Sequence, residues 1–199
     1  MALDFKFPSR TYAGIQVQRL TTDVNRTIGA MTFADNSLPL VPDSTQERLS
    51  YREDSIGVGL NQLLGDGFVV GASYKYNQVK FNDVLPAVPV AVLASGHQTD
   101  HADLHQATGY ILYNHPSGLF ARAEATWYHQ NNSGYTPGLP GDDFVQENLY
   151  VGYRFLHRRA ELMFGILNLS GQDYHLNPLN TYSELPRERT FIARLNFVF

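Results

Sequence analysis

Apolar and polar side chains alternate with a period of two along most of this chain, in segments of roughly ten to fifteen residues separated by turn-forming residues. No other feature limits its fold as strongly. This period belongs to β-strands whose two faces meet different surroundings. The last segment is the clearest, with Phe191, Ala193, Leu195, Phe197 and Phe199 on one side and Arg194 and Asn196 on the other. Leu149, Val151, Tyr153 and Phe155 likewise oppose Asn148, Tyr150, Gly152 and Arg154, and Leu119 to Trp127 opposes Arg122, Glu124 and Thr126. Further back, Phe68, Val70, Ala72, Tyr74 and Tyr76 oppose Gly71, Ser73, Lys75 and Asn77. Ile56, Val58 and Leu60 oppose Ser55, Gly57, Gly59 and Asn61, and Ala13, Ile15 and Val17 oppose Tyr12, Gly14, Gln16 and Gln18. Between Gln106 and Asn114 both faces carry Tyr and aliphatic residues, and the pattern is ambiguous.

The polar face decides what the alternation means. It is built from Gly, Ser, Asn, Gln, Arg, Glu and Lys, which suits a wet or plugged interior better than a dry sandwich core. Aromatic residues gather near segment ends: Trp127 with Tyr128, Tyr74 with Tyr76, Tyr153 with Phe155, Phe197 with Phe199. Composition agrees, with 43% hydrophobic residues, 12 Tyr, 12 Phe and one Trp against 17% charged residues. Soluble domains carry about a quarter charged residues. A spanning helix needs about 20 apolar residues in a row. The best run, Val84 to Ala94, is shorter and is interrupted by Pro86 and Pro89. The fold predicted is therefore all-β, an antiparallel up-and-down transmembrane β-barrel over residues 1–199, its apolar side facing lipid.

Short and long connections are expected to alternate, as in outer-membrane barrels. Tight turns are predicted at Leu64–Gly67, at His115–Gly118, at Leu156–Arg158 and near Thr22–Asn25, with longer segments at 35–50, 83–101, 131–142 and 171–186. Strands then fall near 11–20, 26–34, 52–63, 68–81, 103–114, 118–130, 142–155, 159–170 and 187–199, with a tenth at Leu3–Phe7. A hairpin closed at His157 pairs Tyr153 with Leu162, Val151 with Phe164 and Leu149 with Ile166, and sets Arg154 opposite Glu161 on the inner side. That pair reads as a brace within the sheet, in preference to a substrate contact.

Other signals exclude functions more than they suggest them. Cysteine is absent, so no disulfide framework or thiolate metal site exists. A net charge of −4 gives no basic face for nucleic acid. Met1 is followed by neither a basic stretch nor an apolar run, so the start is expected to be processed, truncated or engineered. His97, His101 and His105, with Asp100 and Asp103 among them, lie in a region expected to be an outer loop running into a strand; solvated loop residues are the preferred reading over a metal site. His129, Ser133 and Asp142 or Asp143 could be written as a catalytic set, but Asn131, Asn132, Gly134 and Pro137 around Ser133 are turn residues. No enzyme is expected. The apolar run at Val84–Ala94 is expected to pack against neighbouring loops.

The chain ends RTFIARLNFVF, which resembles the C-terminal strand of outer-membrane proteins, in which the terminal aromatic, here Phe199, is read by the barrel-assembly machinery. The preceding GILNLSGQDYHLNPLNTYSELPRERTF resembles the last outer loop and final strand of TonB-dependent receptors, through Asn168, Leu169, Gly171, Asp173 and Tyr174, then Arg189, Thr190 and Phe191. The resemblance covers those strands and implies a receptor or transporter barrel in the bacterial outer membrane. Its partners would be outer-membrane lipid and lipopolysaccharide, the assembly machinery, other outer-membrane or periplasmic subunits, and a TonB complex acting through a plug that this stretch lacks. No cofactor is implied. Such barrels have about 22 strands, so 199 residues are expected to be the C-terminal portion of a longer protein. Substrate selection would fall to outer loops and to the inward polar residues Lys75, Arg122, Glu124, Arg154, Glu161 and Arg194. The alternatives are a secretion, export or anchoring barrel, or a small self-contained one serving adhesion or envelope integrity.

Overall fold

Turn chemistry fixes one end of the molecule. Gly65 adopts a left-handed conformation (φ 58°) in the turn Gly65–Gly67, and Gly118 (φ 101°) closes the turn from His115. The strands these turns join form one antiparallel sheet in chain order. They are β1 (Ala2–Lys6), β2 (Thr11–Ala34), β3 (Ser37–Leu64), β4 (Phe68–Val84), β5 (His97–Asn114), β6 (Leu119–Ser133), β7 (Asp142–Phe155), β8 (Ala160–Leu167) and β9 (Thr190–Phe197). This computed structural model describes residues 1–34, 37–93, 96–155 and 159–197, with side chains described except at 33–40. The turns at 7–10, 65–67 and 115–118 lie at one end, and the longer connections from β4 to β5, β6 to β7 and β8 to β9 at the other, where β2 also ends at Ala34 and β3 begins at Ser37. The predicted asymmetry holds from β3 onward and fails between β2 and β3, where the sequence predicts a long connection at 35–50. The Leu156–Arg158 turn and Phe199 lie outside the described residues.

Every register partner expected for the β7–β8 hairpin is found, including Tyr153 with Leu162 and Arg154 with Glu161. The N-terminal third differs from expectation. No turn occurs at Thr22–Asn25; β2 runs straight through it, pairing Thr22 with Tyr51 and Asn25 with Arg48. Without Gly or Pro, Asp23 and Asn25 simply turn outward while β-branched neighbours extend the ladder. Residues 37–50, expected as loop, continue β3 instead. Pro42 is tolerated there because β4 ends against Arg48, which leaves β3 an edge strand beyond that point. Among the described residues the strand total is nine, because two predicted strands merge into β2 while the N-terminal one is present.

Among the described residues β1 and β9 do not pair with each other, so the sheet is open at both edges. Its two faces differ sharply. Ile15, Val17, Ile56, Val58, Leu60, Phe68, Val70, Ile111, Leu119, Leu149, Val151, Phe164 and Leu195 lie exposed on one face. Cross-strand register makes them a continuous band. Buried side chains gather on the opposite, polar face, where residues 168–189 fold back across the sheet as a strap. No helix of the described residues is long and apolar enough to cross a membrane.

Candidate functional site

The polar face is built in two parts. Over β3–β8 the strap crosses it, held by side chains that alternation points inward. The strap springs from Asn168, fully buried with φ 51°, a left-handed backbone that asparagine tolerates better than most residues. Its amide donates to the carbonyls of Gln172 (2.8 Å) and Pro186 (3.0 Å) and its Oδ1 accepts from the Gln172 N–H (2.8 Å). Both limbs of the strap are thus tied to one residue. Arg189 Nε closes the base by donating to Leu169 O at 2.9 Å. Asn168, Leu169 and Arg189, three of the residues that carry the C-terminal resemblance, thus hold the base of this loop.

An irregular segment laid on a sheet must find partners for its peptide groups. Amide side chains from successive strands supply them. Gln146 on β7 donates to Pro186 O (2.9 Å). Gln130 on β6 donates to Asn177 O (3.1 Å) and accepts from the Asn177 N–H (2.6 Å). Asn77 on β4 donates to Thr181 O at 3.1 Å, and Tyr51 on β3 donates to Leu179 O at 3.0 Å. Asn180 in turn donates to Ala102 O of β5 (3.1 Å). The buried Glu53 carboxylate accepts from Asn77 (2.8 Å), Thr181 (2.6 Å) and Tyr51 (2.9 Å). The apolar part of the strap docks on a stack in which Tyr128 lies 5.0 Å from Phe144 and Phe144 lies 5.4 Å from Tyr174, with Leu104 and Leu176 beside it. Burial pushes the hydroxyls of Tyr135 and Tyr182, in the loops around this stack, above the usual phenol range.

Nearer the short turns, two ion-pair groups line the same face. Arg122 meets Glu124 at 2.6 Å, and Glu124 also accepts from Asn148 (2.9 Å) and Tyr150 (3.2 Å). Arg154 meets Glu161 and the Asn114 amide oxygen, both at 2.8 Å, while Arg194 approaches Glu161 at 3.7 Å. Tyr110 lies over Gly71 and Phe120 over Gly152; a Cβ at either glycine would fall 2.3 to 2.4 Å from a ring carbon. Each ring then carries a guanidinium, Arg122 at 4.6 Å and Arg154 at 4.3 Å from the centroids.

The second part of the polar face, over β1–β4, is bare. A trough of about 440 Å³ runs past Asp4, Gly14, Gln16, Gln18, Gly57, Gly59 and Ser73, with Lys75 at its side. Among the described residues Lys75 has no ion pair, unlike the other five inward charges expected from the sequence.

On the apolar face, aromatic rings mark both borders of the band. Phe68 and Tyr113 lie 4.6 Å apart near the short turns. Toward the long loops, Tyr76 and His105 lie 4.8 Å apart and Trp127 stacks on His129 at 5.7 Å. Tyr128, grouped with Trp127 from the sequence, lies on the other face, since adjacent strand residues point oppositely. His97, His101 and His105 lie on β5 and not in a loop. They share one face at intervals of about 13 Å, too far apart for one ion, and no group of three metal-ligating side chains occurs among the described residues. His129 Nδ1 meets Asp143 at 2.8 Å, but Ser133 lies four residues further along β6, about 13 Å away. Asp142 faces the other side and accepts from the His175 N–H. Those residues do not assemble a nucleophile with its base. Val90, Val92 and Leu93 are exposed in the connection after β4.

Alternation identified the inward charges and placed Asn77 inward, but did not single out Glu53, Asn77, Gln130 and Gln146 as anchors. Their signal was a polar, mostly uncharged side chain at inward parity midway along strands β3, β4, β6 and β7. Compared with known proteins, the chain matches no family model, no curated protein and no solved structure.

Proposed function

We propose that this chain forms the C-terminal strands of a β-barrel in a bacterial outer membrane, belonging to a receptor or transporter of TonB-dependent type that takes up its substrate through the strapped polar interior. One observation carries the reading: the exposed apolar band. Soluble proteins rarely leave so continuous an apolar surface uncovered. From Phe68 to Tyr76 the band extends about 27 Å along β4, close to what a tilted strand needs to cross a bilayer. Aromatic side chains at both borders favour lipid over a second protein sheet as the cover. The unpaired edges of β1 and β9 support a larger barrel, since an open edge in lipid leaves peptide groups without partners. In that barrel Lys75, Arg122, Glu124, Arg154, Glu161 and Arg194 face the lumen, and among the described residues Lys75 is the one with its charge uncommitted.

Fractionation of the producing cells, followed by uptake assays in a deletion strain with and without a protonophore, tests both levels of the reading. The expected result is recovery in the outer membrane and loss of an energy-dependent uptake. Recovery in the soluble fraction would end the barrel reading, and unchanged uptake of every solute would leave only its structural half. A secretion or anchoring barrel is the second reading, favoured by the strap itself, because a lumen filled by its own loop holds position better than it passes cargo. Uptake that survives deletion alongside a lost surface polymer would favour it.

A further inference from the structure

The apolar face changes character abruptly at its border toward the long loops. One cross-strand row there consists of Thr21, Arg52, Lys80 and His101 on β2 to β5. Adjacent strands are about 4.8 Å apart, and like charges directly opposite each other destabilise a sheet. Asp54 answers part of this charge, accepting from Arg19 at 2.5 Å and from Arg52 at 2.7 Å. Among the described residues Lys80 and His101 have no side-chain partner. Asp23, on the same face, and Asp103, taken up by the Tyr76 hydroxyl at 3.0 Å, are the other nearby acids. Arg48 adds a further cation on β3.

Two cavities meet beside this row, at the cross-strand pair Asp54 and Gln78. The upper, about 250 Å³, is lined by Arg52, Asp54, Gln78, Lys80 and His101. The lower, about 510 Å³, lies on the apolar band against Val17, Ile56 and Tyr76. Asp54 and Gln78 line both, so cationic and apolar spaces form one groove.

We infer that this groove binds a phosphorylated, acylated lipid of the surrounding leaflet, its phosphate between Arg52 and Lys80 and an acyl chain along Val17, Ile56 and Tyr76. The inference rests on the barrel reading, which puts lipid against this face. A phosphate there replaces a repulsion between neighbouring strands with charge-assisted hydrogen bonds. The aspartate between Arg19 and Arg52 holds the guanidinium in place for it.

The full-length protein, reconstituted in phosphatidylcholine vesicles with and without diphosphorylated lipid A, provides the test, with lipid retained after detergent extraction read by native mass spectrometry. In R52Q/K80Q retention of lipid A should fall about 30-fold, the equivalent of about 2 kcal/mol for two interfacial cations. R52K/K80R and the short-turn variant R159Q should retain it as the parent does, and protease protection should show all of them inserted. Equal retention by R52Q/K80Q would overturn the site while leaving the barrel intact. Displacement of the lipid by inorganic phosphate would overturn the lipid as occupant. Failure of the parent to insert in either vesicle would end the barrel reading and the site with it.

Discussion

The two parts of the polar face use the same residue types for opposite ends. Over β4–β8, glycine makes room for a ring: Gly71 admits Tyr110, Gly152 admits Phe120, and Gly165 would meet the Tyr150 ring at 2.8 Å if it carried a Cβ. Arginines sit on the Tyr110 and Phe120 rings and are neutralised by Glu124 and Glu161. Over β1–β4, Gly57 and Gly59 would meet nothing closer than 3.9 Å, and Lys75 stands beside open space. A glycine on an inward parity position thus either seats a neighbour or keeps a passage clear. Only its cross-strand partners reveal which.

The contrast breaks first at the glycines. Gly152→Val should destabilise the protein by about 3 kcal/mol or prevent assembly, because the added carbons meet Phe120 and the Leu162 carbonyl. Gly57→Val, in the trough, should cost less than about 0.5 kcal/mol. Urea unfolding of the two variants in detergent micelles measures the difference, and equal losses would erase the distinction between the two parts.

The strap comes next. Gln130→Leu removes a side chain that both donates to and accepts from Asn177, leaving buried peptide groups without partners. A loss of about 1–3 kcal/mol is expected, with faster proteolysis between His175 and Tyr182 as the local readout. A smaller effect is expected at the brace. A double-mutant cycle of Arg154→Ala and Glu161→Gln should give a coupling of about 1 kcal/mol, whereas a value near zero would make the 2.8 Å contact incidental.

Weakest of all is the pH effect on the strap. The Tyr182 hydroxyl is held above its ordinary value, chiefly by burial, so the folded state favours its neutral form. Its contribution is complete below the phenol range, about pH 10, and is lost as pH rises through the higher folded value. Proteolysis of the strap should accelerate only under those alkaline conditions, and Tyr182→Phe should weaken the dependence, the remainder belonging to other buried phenols such as Tyr135.

Strand alternation makes most of the fold legible in the sequence. Phe68 to Tyr76, Leu149 to Phe155 and the β7–β8 register were all readable because a period of two is set by the backbone itself. The Thr22–Asn25 stretch misled because Asp and Asn signal turns only where no partner strand competes, and β3 does compete there. The strap was hidden for a different reason. Nothing local in residues 171–186 shows that Gln130 and Asn77, distant in sequence, supply its peptide partners. The outward row at Arg52 and Lys80 was hidden likewise, since its members meet only once three strands are aligned.

Covering of the apolar face by lipid is the claim on which the functional reading stands. These 199 residues hold no cysteine, so within them single cysteines carrying nitroxide labels can be placed at each position from Phe68 to Tyr76 and read in membranes. Collision with oxygen, which concentrates in the bilayer, should be high at positions 68, 70, 72 and 74 and low at 69, 71, 73 and 75. Equal exposure of both sets to a water-soluble nickel reagent, or protection of the first set from both reagents, would contradict it.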